Sequence, residues 1–302
     1  MARSLLTVLA VVGLLVSGCA AGAAAPGGLR NGVYVVAAEN FWGSIAAQLG
    51  GTRASVHSII VDPAQDPHSY EPTAADARTL ATAQLAIVTG IGYDSWSQRL
   101  LAANPTPGRV VLNVGALFGL KEGDNPHRWY DPAEVGAVAN AITHDLITLD
   151  PKHSSYYEHR RAAFENRGLA QYHALIARIR ARYAGVPVGA SESIFAPLAP
   201  ALGLRLITPS SFMTAIAEGT EVTAQDTSTT RLQITRHQLK VWIYNTQNAT
   251  PDVQRLTELA QAARIPVATV TETLSPASAS FEQWQVTELN GIARALHEAT
   301  GR

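Results

Sequence analysis

The chain has 302 residues, of which 47% are hydrophobic and 16% charged, and its formal net charge is −1. This length is too great for one typical domain and suits two, each large enough to bury a core. The balanced charge and the lack of a basic stripe give no reason to expect a nucleic-acid partner. After the first residues, no apolar run is long enough to cross a membrane.

The N-terminus has the features of a secretory signal peptide over residues 1–18. A single arginine precedes an apolar run that is too short to span a bilayer as a helix. Small residues then lead to Cys19, the only cysteine in the chain. Val-Ser-Gly-Cys resembles the bacterial lipobox, which implies lipidation of Cys19. The alternative is an ordinary signal peptide followed by an unrelated cysteine. Residues 19–30 are then expected to form a lipidated, flexible tether.

Residues 31–149 alternate short β-branched runs with helical patterns, which predicts parallel βαβ units in an N-terminal lobe. A Thr73–Asp76 capping box marks the start of a helix that continues to about Ala83. The expected strands are 33–37, 56–61, 85–89 and 110–114, and another helix is expected at 41–49.

Residues 150–184 are predicted to form one long connecting helix. Apolar residues recur there at helical spacing, with Asp150 as the N-cap and Pro151 at the first helical position. A helix of this length would extend roughly 50 Å and could join two lobes. Gly168 is its weak point. The alternative is a long surface helix of a single domain.

Residues 185–302 resume the alternation and are predicted to form a C-terminal lobe. Strands are expected at 204–207, 241–244 and 267–270, and helices at 195–202, 253–263 and 281–297. The predicted fold class is α/β, with two lobes that are each a parallel-rich sheet with flanking helices, joined by one long helix.

Two of the nine histidines follow a proline in loops that come after predicted strands. His68 lies in DPHSYEP and His127 lies in NPHRWYDP. In open α/β sheets ligands bind beyond the carboxyl ends of the strands, so these loops can converge. Proline stiffens each loop and can hold the imidazole in place. Each Pro-His sequence alone is weak evidence for a metal site, because most loop histidines are not metal ligands.

Four segments together resemble the metal-receptor family of ABC importers, the solute-binding proteins that collect zinc, manganese or iron(II). They are the two histidine loops, residues 83–96 (AQLAIVTGIGYDSW) and residues 191–204 (SESIFAPLAPALGL). The resemblance implies two α/β lobes joined by a long helix, with the metal in the cleft between them. It also implies four metal ligands, two from each lobe.

The resemblance places the four ligands at His68, His127, Glu192 and Glu272. Glu192 stands where zinc-binding members often have histidine, and Glu272 stands where aspartate is usual. Both glutamates follow predicted strands, so both should emerge at the same edge of the second lobe. Without the resemblance, each would be read as an exposed glutamate near a helix N-terminus. Glu221 and Asp226 are rivals for the fourth position.

One divalent ion, Zn²⁺ or Mn²⁺, is the expected ligand. Carboxylates favour harder ions such as Mn²⁺, whereas imidazole also suits zinc, so the ligand types do not decide between the two metals. The long histidine-rich loop of many zinc-binding members is missing, since residues 69–126 contain no histidine. Trp129 is expected to shield His127 and Asp131 to orient it. Metal affinity should fall as the pH drops through the histidine range.

The sequence thus predicts a monomeric, non-catalytic receptor, lipid-anchored at the extracytoplasmic face of the cell membrane. It would capture Zn²⁺ or Mn²⁺ and deliver the ion to the permease and ATPase of an ABC importer, without contact to nucleic acid. The alternatives are a metal-dependent hydrolase and a surface adhesin lipoprotein on the same fold.

Overall fold

A computed structural model describes residues 32–302 of the chain. The predicted signal peptide, the lipidation site Cys19 and the whole of the predicted tether lie outside the described residues. Within 32–302, no helix is both long and apolar enough to cross a membrane.

The first sheet has four parallel strands in the order β2-β1-β3-β4. The strands are β1 (Val33–Glu39), β2 (Ala54–Ile60), β3 (Leu85–Val88) and β4 (Val110–Asn113). The central strands β1 and β3 are buried along almost their whole length, which explains their unbroken apolar runs. The predicted parallel units of the first lobe are confirmed.

The second sheet also has four parallel strands, and its order, β6-β5-β7-β8, repeats that of the first. The strands are β5 (Pro187–Ala190), β6 (Arg205–Leu206), β7 (Val241–Asn245) and β8 (Val267–Val270). In both sheets the second strand lies on one side of the first strand, and the third and fourth strands lie on the other side. Ligand sites in open α/β sheets form at such switch points, beyond the carboxyl ends of the strands. We call the part built on each sheet a lobe.

Eleven α-helices flank the sheets of residues 32–302. Their bounds are α1 Asn40–Gly50, α2 Ala74–Thr82, α3 Ser95–Ala103, α4 Val114–Leu117, α5 Pro132–Leu149, α6 Ser154–Ala163, α7 Ala170–Tyr183, α8 Ser210–Ala217, α9 Ala224–Thr235, α10 Pro251–Ala262 and α11 Phe281–Thr300. The predicted capping box is present at the start of α2, where Thr73 and Asp76 bind each other's backbone N–H groups.

The connecting segment is mostly helical but is not one regular helix, and Leu169 forms a bend within it. It begins with a 3₁₀ turn at Pro151–His153, continues as α6, passes through a π-helical turn at Phe164–Gly168 and ends as α7. The π turn contains the expected weak point. Helix α6 packs on α1 and α5 of the first lobe and α7 packs on α11 of the second, so the segment runs from one lobe to the other.

Two details of the second half differ from expectation. Asp150 does not cap the connecting segment, because its carboxylate accepts hydrogen bonds from His153 and Tyr157 instead of backbone N–H groups. The helix expected at 195–202 is wrong: a 3₁₀ turn at Ser193–Phe195 leads into further turns. Pro200 lacks the N–H donor that a regular α-helix over 195–202 would need to bond the carbonyl of residue 196.

Aromatic rings fill the core directly beneath the carboxyl ends of the first sheet. Trp129 stacks on Phe41 with ring centroids 4.0 Å apart and meets Trp42 edge-on at 6.4 Å. All three side chains are fully buried. Aromatic pairs in these orientations contribute roughly 0.5–1.5 kcal/mol beyond their buried area. The loop that carries His127 is therefore anchored through Trp129.

Candidate metal centre

The candidate ligands all follow strands whose carboxyl ends face the cleft between the lobes. His68 comes after β2, and His127 comes after β4 and α4. Glu192 comes after β5 and Glu272 after β8. Parallel strands end at one edge of each sheet, which is why side chains distant in sequence meet there.

Three of the four predicted ligands meet within a small volume. One nitrogen from each of His68 and His127 and one carboxylate oxygen from Glu272 all lie within 4.8 Å of one another. The Nε2 atom of His127 is 3.3 Å from Oε2 of Glu272. His127 is 0% exposed and Glu272 is 1% exposed. These ligand atoms are therefore shielded from water.

Asn125 sets which nitrogen of His127 carries the proton. The Oδ1 atom of Asn125 accepts from the backbone N–H of His127 at 3.0 Å and lies 2.8 Å from its Nδ1. The Nδ2 atom of Asn125 donates to the carbonyl of Ser193, so Oδ1 must be the atom that faces the histidine. Nδ1 is therefore the donor, and Nε2 presents a bare lone pair to the cluster.

We expect Asn125→Ala to weaken metal binding by about 10- to 100-fold, the usual cost of losing a group that orients a ligand histidine. Asn125→Asp keeps the acceptor oxygen and should retain most of the affinity, although it loses the bond to Ser193. Isothermal titration with Mn²⁺ measures both variants, and Asn166→Ala, at an exposed position on the connecting segment, is the matched control. Equal affinities for the alanine variant at 125 and the parent would contradict this role.

The role of Asn125 corrects the expectation for Asp131. The carboxylate of Asp131 accepts from the backbone N–H groups of Ala133 and Glu134 and so caps helix α5. The Nδ1 atom of His127 faces Asn125 and the Nε2 atom faces Glu272, so Asp131 does not orient that ring. Trp129 does pack against His127, with ring centroids 5.3 Å apart.

Hydrogen bonds from both lobes hold the Glu272 carboxylate. Tyr93 of the first lobe donates to Oε2 at 3.0 Å, and Asn245 at the end of β7 donates to Oε1 at 2.8 Å. The Tyr93 ring also packs edge-on against His68, with centroids 4.6 Å apart. Burial raises the pKa of Glu272. Sequence reasoning missed Tyr93 and Asn245.

Glu192 lies beside this group but is not one of the three residues whose ligand atoms lie within 4.8 Å of one another. Its Oε1 accepts from Asn245 at 2.9 Å, and its Oε2 accepts from Asn248 at 2.8 Å. Asn245 thus donates through Nδ2 to both glutamates and holds them side by side. Burial, and then the neighbouring Glu272 carboxylate, raise the pKa of Glu192 to about 8.

The two rival carboxylates lie outside the cluster. Glu221 is exposed, and Asp226 accepts from Thr223 in the first turn of α9. Neither is grouped with the two histidines, whereas Glu272 is.

A second buried carboxyl ties together the loops that carry His127 and Glu272. Tyr130 contacts both Glu288 on α11, at 2.6 Å, and the carbonyl of Thr271, at 3.0 Å. Glu288 also accepts from the backbone N–H of Thr271 and from Trp284. Burial raises the pKa of Glu288 to about 8. This contact fixes the distance between the two ligand loops.

The cluster has the composition of a cation site. The Nε2 atoms of both histidines are buried and lack a hydrogen-bond partner among the residues of 32–302. The Nε2 atom of His127 faces Oε2 of Glu272, the same oxygen that accepts from the Tyr93 hydroxyl. A buried acceptor without a partner costs about 1–3 kcal/mol, and a bound cation would remove that cost. Imidazole and carboxylate together suit Zn²⁺, Mn²⁺ and related ions.

Comparison with known proteins assigns the chain to a family. The sequence profile described as "Zinc-uptake complex component A periplasmic" matches residues 35–295. The chain belongs to this family. The residues that match the zinc-uptake component A profile include both sheets and the connecting segment. This assignment confirms the resemblance seen in the two histidine loops.

Individual relatives match the chain over a shorter stretch. The manganese-binding lipoprotein MntA of Halalkalibacterium halodurans is 30% identical over 154 residues, 50% of this chain and 51% of its own length. The iron-binding protein YfeA of Yersinia pestis is 27% identical over 172 residues, 53% of this chain and 54% of its own. The chain therefore spans about half the length of these relatives.

Solved structures of the same fold cover almost the whole of the two lobes. The Cd-bound periplasmic metal-binding protein of Candidatus Liberibacter asiaticus superposes with a TM-score of 0.72 at 17% identity, covering 87% of this chain and 99% of its own. The solute-binding protein FpvC of Pseudomonas aeruginosa, in complex with Mn²⁺, gives 0.71 at 20% identity, covering 88% and 99%. These likenesses confirm the predicted fold class.

Proposed function

We propose that this protein captures one divalent transition-metal ion in the cleft between its lobes and delivers it to an ABC importer. The observation that carries the proposal is the convergence of His68, His127 and Glu272 within 4.8 Å, with both Nε2 atoms buried and unpartnered among the described residues. Glu192 is the proposed fourth ligand. The Glu192 carboxylate would bind the ion once its hydrogen bond from Asn245 or Asn248 is broken.

Zn²⁺ and Mn²⁺ are the proposed cargo. Two carboxylates with two imidazoles give a donor set that is harder than an all-histidine site, which favours Mn²⁺, whereas zinc accepts the same groups in four-coordinate geometry. The names of the relatives support both metals, since the family is described by zinc uptake and MntA by manganese binding.

The proposed location is the extracytoplasmic face of the cell membrane, with the mature chain anchored through lipidated Cys19. Several relatives are named as lipoproteins, and Val-Ser-Gly-Cys matches the lipobox pattern. Anchoring keeps the receptor close to the proposed permease and ATPase, which raises its effective concentration there.

Metal analysis of the purified, metal-stripped protein after incubation with Zn²⁺ or Mn²⁺ tests the proposal. One ion per chain is the expected result, and a protein that takes up neither metal would overturn it. Competition between the two ions addresses selectivity. Glu192→His adds a third imidazole, so we expect that variant to favour Zn²⁺ over Mn²⁺ relative to the parent.

The pH dependence of binding should follow the carboxyl groups and not the histidines. Burial lowers the pKa of His127 to about 4, so this ring is neutral throughout the neutral range. The pKa of Glu192 is raised to about 8, so below that pH a proton must leave before the carboxylate can bind the ion. Affinity for Mn²⁺ should therefore rise from about pH 6 to about pH 8 and then level off.

Titration calorimetry in buffers of different ionisation enthalpy measures this coupling directly. Close to one proton should be released per ion at about pH 7, and less at higher pH. Binding that releases no proton at either pH would contradict the assignment of Glu192.

A further inference from the structure

A cavity of about 400 Å³ opens from the surface onto the metal centre. The first lobe lines it with Tyr93 and the loop at 122–126, and the second lobe lines it with Ser193 and the end of helix α8. His68 also lines the cavity, and its buried Nε2 has no hydrogen-bond partner among the described residues. The cavity therefore ends at one of the proposed ligands.

The rim of this cavity carries only negative charge. Glu122, Asp124 and Glu218 are exposed and line it, and no Lys or Arg of residues 32–302 does so. Glu122 belongs to the first lobe and Glu218 to the second, so acidic groups stand on both sides of the opening. Lys121 is the neighbouring positive charge in the loop, but it does not line the cavity.

Other contacts between the lobes involve residues that do not line the cavity. Tyr130 binds Glu288, and Asn40 accepts from the backbone N–H of Leu274 at 3.2 Å. Ser44 accepts from the backbone N–H of Phe281 at 2.9 Å. Residues that line the cavity also form hydrogen bonds across the lobes: Asn125 donates to the carbonyl of Ser193 at 2.8 Å, and Tyr93 donates to Glu272 at 3.0 Å. The path from the surface to the metal centre therefore passes Asn125 and Tyr93, which both line the cavity.

We propose that this cavity, the acidic vestibule, is the route by which the ion enters and leaves the metal centre, and that Glu122, Asp124 and Glu218 accelerate capture. The inference rests on the proposed function, because it concerns the same site. Carboxylates that line one cleft focus the electric field and raise the local concentration of cations. A higher concentration of hydrated ions at the rim increases the rate at which His68 can replace a bound water.

The arrangement of the rim supports this role. The Glu122 side chain lies over Gly92, where an added Cβ atom would be in van der Waals contact with its Cγ atom, at 3.4 Å. Gly92 also has φ +88°, a conformation that favours glycine. The loop that follows β3 therefore lets Glu122 lie close to the mouth of the vestibule, next to Tyr93.

The test compares two variants that raise the net charge by the same amount. The vestibule variant is Glu122→Gln, Asp124→Asn and Glu218→Gln, and Asn at 124 keeps an oxygen that can accept from Lys121 N–H as Asp124 does. The control variant is Glu158→Gln, Glu258→Gln and Glu298→Gln. These three glutamates are exposed on α6, α10 and α11 and do not line the cavity.

Stopped-flow mixing of metal-stripped protein with Mn²⁺ and a chelating dye gives the association rate constant. At about 20 mM salt the vestibule variant should capture Mn²⁺ about 10-fold more slowly than the parent, and the difference should shrink at about 0.5 M salt. The control variant should stay within about twofold of the parent. Lys121→Gln should change the rate in the opposite direction and accelerate capture.

Equal association rates for the vestibule and control variants would overturn the proposed route while leaving metal capture intact. A parent protein that binds no Mn²⁺ and no Zn²⁺ would instead overturn the proposed function itself. The two failures are therefore distinguishable in one set of measurements.

Discussion

Replacing His127 with alanine is expected to weaken metal binding by more than about 100-fold, which exceeds the 10- to 100-fold cost of losing an outer-shell group. His127 is 0% exposed, and its Nε2 is 3.3 Å from Oε2 of Glu272. Alanine removes one of the three clustered donors and leaves a void that a water can enter but that supplies no imidazole. His68→Ala should have an effect of the same order.

The matched control for both variants is His159→Ala. His159 is exposed on helix α6, and its loss should leave the dissociation constant unchanged. Competition against a chelator of known affinity measures all three variants. A His127→Ala protein that binds Mn²⁺ and Zn²⁺ like the parent would show that the ion is held elsewhere.

The fold was largely predictable because the apolar runs of the strands and the caps of the helices are both local features of the sequence. Buried parallel strands need continuous apolar runs, and such runs stand at β1, β3, β7 and β8. The caps of α2 and α5 are also encoded within four residues. The helix expected at 195–202 does not form, because Pro200 cannot donate the backbone hydrogen bond that a helix needs at its centre.

The orientation of the site side chains was not predictable from local sequence. Asp131 follows His127 by four residues and has a suitable carboxylate, yet it caps α5. Asn125 precedes the histidine and binds its ring instead. Both residues prefer caps and turns, so only the folded geometry of the loop decides which of them meets the imidazole.

Residues that bind the carboxylates were missed for a related reason. Asn245 is the last residue of β7 and Tyr93 lies in the loop after β3, at the same edge that carries the ligands, and this position was the available signal. Neither residue type is a usual ligand for Zn²⁺ or Mn²⁺. Their role depends on contacts across 179 and 27 positions of sequence, which no spacing rule reports.

Glu272→Gln is the second change for which we expect a large effect, again a loss of affinity of more than about 100-fold. The amide keeps the size of the side chain and leaves an oxygen to accept from Asn245, while Tyr93 can accept from the new N–H group. It removes the negative charge that would bind the ion. Glu221→Gln, at the exposed rival carboxylate, should leave affinity unchanged.

The same substitution separates metal binding from folding. Burial raises the pKa of Glu272 above its value in the unfolded chain, so the folded state holds more protons and this carboxyl makes the fold less stable as the pH rises through that window. Glutamine does not titrate, so metal-free Glu272→Gln should be at least as stable as the parent at neutral pH.

Thermal unfolding with and without Mn²⁺ therefore tests separately whether Glu272 binds the ion and whether it stabilises the metal-free fold. An ion at about 100 times its dissociation constant stabilises the parent by about 2.7 kcal/mol, and the variant should lose that increment while keeping its metal-free Tm. A variant that unfolds earlier without metal would instead make Glu272 a structural carboxylate. A variant that retains the metal-induced shift would exclude it as a ligand.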